Sequence, residues 1–180
     1  MYCGSNPTAL ASQIQISEAL IRLMEAGPYS QISVTALCKE AGISRQTFYS
    51  LFSSMENVVL FTLQEKVCQL PHEETAHFSL EGLSRIYSRY ICSNRAFLKL
   101  LVENEIVYLL YNSVYASFSG CCECLGAMPE RERQYAAHFL AGGLTGVVRE
   151  YCDSEPPASA DALYDMLLRL FSGRIFPDTL

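Results

Sequence analysis

A chain of 180 residues, 50% hydrophobic and only 18% charged, is long enough for one large or two small domains and apolar enough to fill a core. That composition excludes a largely disordered protein. Thirteen Lys and Arg against nineteen Asp and Glu leave a formal net charge of -6, a balance that, taken over the whole chain, argues against nucleic acid as a partner.

In chain order, the pattern is helical almost throughout. Asn6 followed by Pro7 offers an N-cap and a proline at the first helical position. Ile16, Leu20 and Leu23 then form the stripe of an amphipathic helix, which Gly27-Pro28 ends. Ser33 caps a short helix, Val34 to Ala41, whose stop is Gly42. Ser44 opens a second short helix, Arg45 to Phe52, and Ser54 a longer one from Met55 to about Leu70, before Pro71 breaks the chain. Two compact helices joined by a glycine-containing turn make a helix-turn-helix, which presents its second helix to the major groove of DNA. From Phe78 onward the pattern predicts roughly four or five further helices. Asn94 caps a long one, Arg95 to about Phe118, apolar on nearly all sides and therefore buried. Another runs from Pro129-Glu130 to about Tyr151, and a last begins near Ala158. Strand-like alternation, internal repeats and low-complexity tracts are absent.

The longest unbroken apolar run, Ile106 to Tyr111, has six residues, against the roughly 20 needed to cross a bilayer. Met1 to Pro7 has no basic stretch leading into an apolar one, so no signal peptide is expected and the cytoplasm is the expected compartment. The eight cysteines, in a chain with this much core, are expected to be mostly reduced thiols. Nucleophile-elbow, phosphate-loop and dinucleotide motifs are absent, which leaves an enzyme reading without support.

The run Ala41-Gly42-Ile43-Ser44-Arg45-Gln46-Thr47-Phe48-Tyr49, then Phe52, then Ser54 and Glu56, resembles the DNA-binding module of the TetR family of bacterial transcriptional regulators. The resemblance covers roughly residues 8 to 67. Arg95-Ala96-Phe97-Leu98 and Phe139-Leu140-Ala141-Gly142-Gly143-Leu144 are similar to one of the family's ligand-domain subgroups. It implies an all-α dimer: an N-terminal three-helix bundle with the helix-turn-helix in residues 1–54, a connecting helix over 55–70, and a C-terminal effector-binding and dimerisation domain over 71–180. The implied partners are palindromic double-stranded operator DNA, a small-molecule effector and a second copy of the chain, with no cofactor, metal or membrane. A ligand-responsive repressor is the reading that follows. The alternative is an activator, or a small-molecule or protein-partner module with weakened or lost DNA binding.

Within the matched module, Arg45 and Gln46 stand at the first two positions of the recognition helix, where Arg can pair with guanine and Gln with adenine. Ser33, Thr35, Ser44, Thr47 and Tyr49 complete the implied DNA contacts, aided by the helix N-termini. Phe48 and Phe52 are core residues. Two positions depart from the family: Met55 replaces the usual Lys, and Leu51 a frequent His or Tyr, both phosphate anchors. Residues 1–66 hold four basic side chains (Arg22, Lys39, Arg45, Lys66) and five acidic ones (Glu18, Glu25, Glu40, Glu56, Glu65). The rest of the chain therefore carries most of the negative charge.

In the C-terminal half, Tyr87, Tyr90, Phe97, Tyr108, Tyr111 and Tyr115 are candidates to line an effector pocket, plain core being the alternative. Phe139, Gly143, Val147, Leu163, Leu167 and Leu170 are the candidate dimer interface, with Gly142 and Gly146 permitting close backbone approach; intrachain packing is the alternative. Cys121, Cys122 and Cys124 lack an evident fourth ligand for a metal, and are either a thiol switch or ordinary loop cysteines. His72 and His77, five residues apart, would sit about 140° apart around a helix and cannot share a ligand face.

Overall fold

The computed structural model describes residues 6–69, 79–120, 125 and 128–173. Among them are nine α-helices and no strand: α1 (Pro7–Ala26), α2 (Val34–Glu40), α3 (Arg45–Leu51), α4 (Met55–Cys68), α5 (Leu80–Ser93), α6 (Arg95–Glu103), α7 (Tyr108–Gly120), α8 (Glu130–Asp153) and α9 (Ala160–Phe171). The His72 to His77 stretch and Cys121, Cys122 and Cys124 lie outside the described residues. Among those described, no group of His, Cys, Asp and Glu is arranged to hold a metal, and no helix is long and apolar enough to cross a membrane.

The helix starts follow from local chemistry. Asn6, Ser33, Ser44, Ser54, Ser79 and Ser159 each turn a side-chain oxygen back onto an otherwise unpaired backbone N–H of the first turn. Helix α2 ends as the sequence implies. Gly42 adopts a left-handed φ of 65°, its N–H bonds the Lys39 carbonyl, and the Ile43 N–H bonds that of Cys38.

Helices α1 to α4 close around Ile16, Leu20, Leu37, Phe48, Phe52, Val58 and Leu63, all at most 1% exposed. Helix α1 packs on α2 and α4, and α2 on α3. A buried polar link inside is the hydrogen bond between Ser17 and Thr62 hydroxyls at 2.7 Å, with Thr62 also placed to donate to the Val58 carbonyl. The remaining helices form a body in which α8 packs along α7 and α6, and α9 packs along α5. The body meets the N-terminal bundle where α4 packs on α7 and α1 touches α6.

The segment expected as one helix from Arg95 to about Phe118 is two, α6 and α7, separated at Asn104–Val107. Glu105 takes a left-handed φ of 59°, and the Ile106 N–H reaches back to the Leu101 carbonyl, repeating the helix stop of Gly42 without a glycine. Asn94 is not a side-chain cap of α6. Its amide donates to the Tyr90 carbonyl at 2.9 Å, so it closes α5 instead.

Candidate nucleic acid interface and the C-terminal grooves

Helix α3 is anchored from below by Phe48 and Leu51, 0% and 6% exposed. Phe48 meets Phe52 at 6.0 Å, and Phe52 meets Phe61 of α4 at 5.7 Å in an edge arrangement. The opposite side of the helix displays Ser44, Arg45, Gln46 and Tyr49 to solvent, with Thr47 half-buried. The Arg45 guanidinium lies 6.0 Å over the Tyr49 ring, and that ring stands edge-on to Phe48. The cation that would read a base is therefore leaned against a fixed aromatic support.

The cap hydroxyls stay competent to donate. Ser33 accepts from the Ala36 N–H at 3.1 Å and Ser44 from the Thr47 N–H at 3.0 Å, which uses oxygen lone pairs and not the O–H. Ser44 also shares a hydrogen bond with the Thr47 hydroxyl at 2.9 Å, so this pair keeps one proton to offer. Ser33 and Thr35, both exposed, mark the start of α2. Six of the seven residues expected at DNA thus occupy the caps and first turns of two successive helices, with the N-terminal ends of both dipoles beside them, and Tyr49 follows one turn after Arg45.

Leu51 is buried in the core and Met55 packs half-buried against it, so neither can serve as the phosphate anchor that stands there in the family. Sequence reasoning overlooked Asn57. Its side-chain amide donates to Ser53 at 2.8 Å and Ser54 at 3.0 Å, making a polar knot at the start of α4. The paired serines before the helix were the available signal. Of the four cations in residues 1–66, Arg22 bonds Glu40 at 2.8 Å and Lys66 lies 5.5 Å over the Phe97 ring of α6. Lys39 and Arg45 remain as the cations of α2 and α3. Burial pushes the Cys38 thiol up, against the pull of Arg45, so it stays protonated beneath α3.

The six aromatics proposed around an effector are dispersed. Tyr90 and Phe97 are core residues, each 4% exposed, and burial raises the Tyr90 phenol further above its ordinary value. Tyr87 stacks on Phe118 at 6.0 Å and meets Phe171 at 6.4 Å. Tyr111 and Tyr115 stack with His138 of α8, and the Tyr111 hydroxyl pairs with His138 Nδ1. Tyr108 is 45% exposed and donates to Glu56 of α4.

Within the protomer, the residues expected at a dimer interface line two grooves between α8 and α9. One, of about 230 Å³, includes Phe139, Gly143, Val147, Leu167 and Leu170; the other, of about 300 Å³, includes Val147, Leu163, Tyr151 and Met166. None of the six aromatics lines either. Phe139 is 75% exposed and Gly143 is open, whereas Leu163 and Leu167 are buried within the protomer. Arg95 closes one end of this region. Its guanidinium donates to the Cys152 and Ser154 carbonyls at 3.2 and 3.0 Å and to Glu155 at 2.8 Å, tying the start of α6 to the end of α8. The hydrogen bond from Arg95 holds the Glu155 carboxyl below its usual range. Nearby, Tyr151 donates to Cys92 at 3.2 Å, and burial, with that bond, lifts its phenol to about 12.

Residues 16–60 match the family model described as bacterial regulatory proteins, tetR family. The transcriptional activator DhaS of the dhaKLM operon of Lactococcus lactis is 27% identical over 89 residues, 49% of this chain and 48% of that protein. The match thus spans about half the length of that curated relative. Over 97% of this chain the structure of Lin0861 from Listeria innocua superposes with a TM-score of 0.80 at 16% identity, covering 96% of that chain. The fatty acid degradation regulator FadR from Bacillus halodurans follows with 0.62 at 18% identity, covering 96% of this chain and 98% of that one. These similarities extend the shared fold across the C-terminal body.

Proposed function

This chain belongs to the TetR family of bacterial regulatory proteins, and we propose that it is a cytoplasmic regulator that reads a palindromic operator as a homodimer and answers to a small-molecule effector. The observation that carries the reading is the outer side of α3, where Arg45, Gln46 and Tyr49 are exposed while Phe48 and Leu51 fix the helix from behind. Arg45 and Gln46 reach base edges; Ser33, Thr35, Ser44, Thr47 and Tyr49 hold phosphates.

In this reading residues 1–54 are the reading head, 55–70 the connecting helix, and 71–180 the effector and dimer domain. The exposed part of the α8 and α9 face, Phe139, Gly143, Val147 and Leu170, meets a second copy. Leu163 and Leu167 support that face from within. In this reading the half-buried Tyr87, Tyr111 and Tyr115 touch the effector, while Tyr90 and Phe97 serve the core.

Selection from random duplex fragments tests the reading. We expect enrichment of a palindrome, lost on Arg45→Ala or Tyr49→Ala while both variants remain folded. No enrichment at low salt overturns it. Repression is the first expectation, and activation the second, favoured by the activator function in the name of the Lactococcus relative. A promoter fusion read with and without the gene decides the sign.

A further inference from the structure

We propose that the corner between α6 and α7, Asn104 to Tyr108, is a latch that sets the orientation of the reading head, with Asn104, Tyr108 and Glu56 as its positioning residues. The DNA consequence rests on the function proposed above; the latch itself does not.

The corner grips the head on two separate elements. Asn104 Oδ1 accepts from the Tyr29 backbone N–H at 2.6 Å, in the short turn (Tyr29–Gln31) between α1 and α2. The same side chain donates from Nδ2 to the Leu100 carbonyl at 2.9 Å, so both ends of one amide are committed and its rotamer is fixed. One turn further, the Tyr108 hydroxyl donates to Glu56 Oε1 at 2.5 Å, in the first turn of α4. A single contact leaves the head free to rotate about it; two contacts, one on the turn after α1 and one on α4, do not. The Tyr29 phenol belongs to the same junction. Burial, then the neighbouring Glu56 and Tyr108, raise it to about 12, which keeps it neutral beside the carboxylate.

The corner is built to hold this position. Glu105 adopts a left-handed conformation that side chains avoid, which persists only where surrounding contacts determine it. Ile106 and Val107 seat it, 6% and 2% exposed. Glu56 follows Ser54 by two residues, so the latch acts at the start of α4, directly after the recognition helix. Because Tyr108 is nearly half exposed, removing its hydroxyl leaves the packing beneath untouched.

The test uses the full chain with Tyr108→Phe, Asn104→Leu and Asn104→Asp, the last retaining an oxygen to accept from Tyr29. Hydrogen exchange needs no DNA. The Tyr29 amide should exchange about tenfold faster in Asn104→Leu and near the original rate in Asn104→Asp; equal rates in all three proteins overturn the latch. On DNA, the selected palindrome is compared with versions whose half-sites are moved one base pair closer or further apart. A positioned pair of heads discriminates among these spacings, and Tyr108→Phe and Asn104→Leu should cut that discrimination about tenfold while Asn104→Asp preserves it. A lower melting temperature with unchanged discrimination shows a merely stabilising contact and also overturns the proposal. Failure of the unaltered protein to select any palindrome defeats the DNA reading, and the exchange rates then decide the latch alone.

Discussion

Ser44 carries two duties at one oxygen, and they can be separated. As an N-cap it accepts from the Thr47 N–H, a contact worth about 1 kcal/mol. As a proposed phosphate contact it, or the Thr47 hydroxyl paired with it, must donate a proton. Aspartate is as good a cap as serine, but an ionised carboxylate only accepts hydrogen bonds and repels phosphate. Ser44→Asp should therefore leave stability within about 0.5 kcal/mol while operator affinity falls by about tenfold or more, the scale of a hydrogen bond to a charged group. Urea unfolding beside operator titration measures both. Unchanged affinity in this variant removes Ser44 from the interface. Asn57 spends both protons of its side-chain amide on Ser53 and Ser54, so it braces the start of α4 and does not replace the phosphate anchors missing at Met55 and Leu51.

Two helices, α2 and α6, end by the same left-handed stop, and only one of them was visible in the residues. Gly42 announces its turn because glycine has no side chain to clash at a φ of 65°. A Cβ there would meet nothing nearer than Gln15 Nε2 at 4.0 Å, so Gly42→Ala tests conformation without crowding. It should cost about 1–2 kcal/mol, read from the shift in urea midpoint, and a neutral result means the turn is not held as described. Glu105 gives no such notice. The stretch from Arg95 to about Phe118 reads as one helix because its sequence holds no glycine or proline at the break, where Asn104 is instead bonded to Tyr29, 75 residues away in sequence. The same distinction runs through the molecule. Starts of helices were legible at Ser33, Ser44 and Ser54, where a residue answers its own backbone. Which neighbour an apolar residue meets was not, so Leu163 and Phe139 read alike although one is buried and the other 75% exposed.

Across the whole molecule, the charge of -6 is a poor guide to partners because the reading module holds only a small share of it. What the module lacks is cations near α3, since Arg22 is paired with Glu40 and Lys66 leans on Phe97 of the body. Each phosphate neutralised steepens the salt dependence of binding by about 0.9 in log–log slope. The operator complex should therefore have a shallow slope, and titrations that imply about six or more neutralised phosphates per dimer refute this. In the proposed dimer, two-fold geometry supplies much of the affinity, and the exposed face of α8 is where the second copy would meet it. Tyr135 and Phe139 are 68% and 75% exposed there, and a Cβ added at Gly143 meets nothing within 4 Å of the protomer. Alanine favours a helix over glycine by about 1 kcal/mol, so within one chain Gly143→Ala is a gain. If the bare backbone exists to let a second α8 approach, the added methyl holds the two helices apart. Gly143→Ala should then stabilise the protomer while weakening association about tenfold or more. Sedimentation equilibrium over the micromolar range, paired with urea unfolding, reads both changes, and a more stable protein with undiminished association places the dimer contact elsewhere.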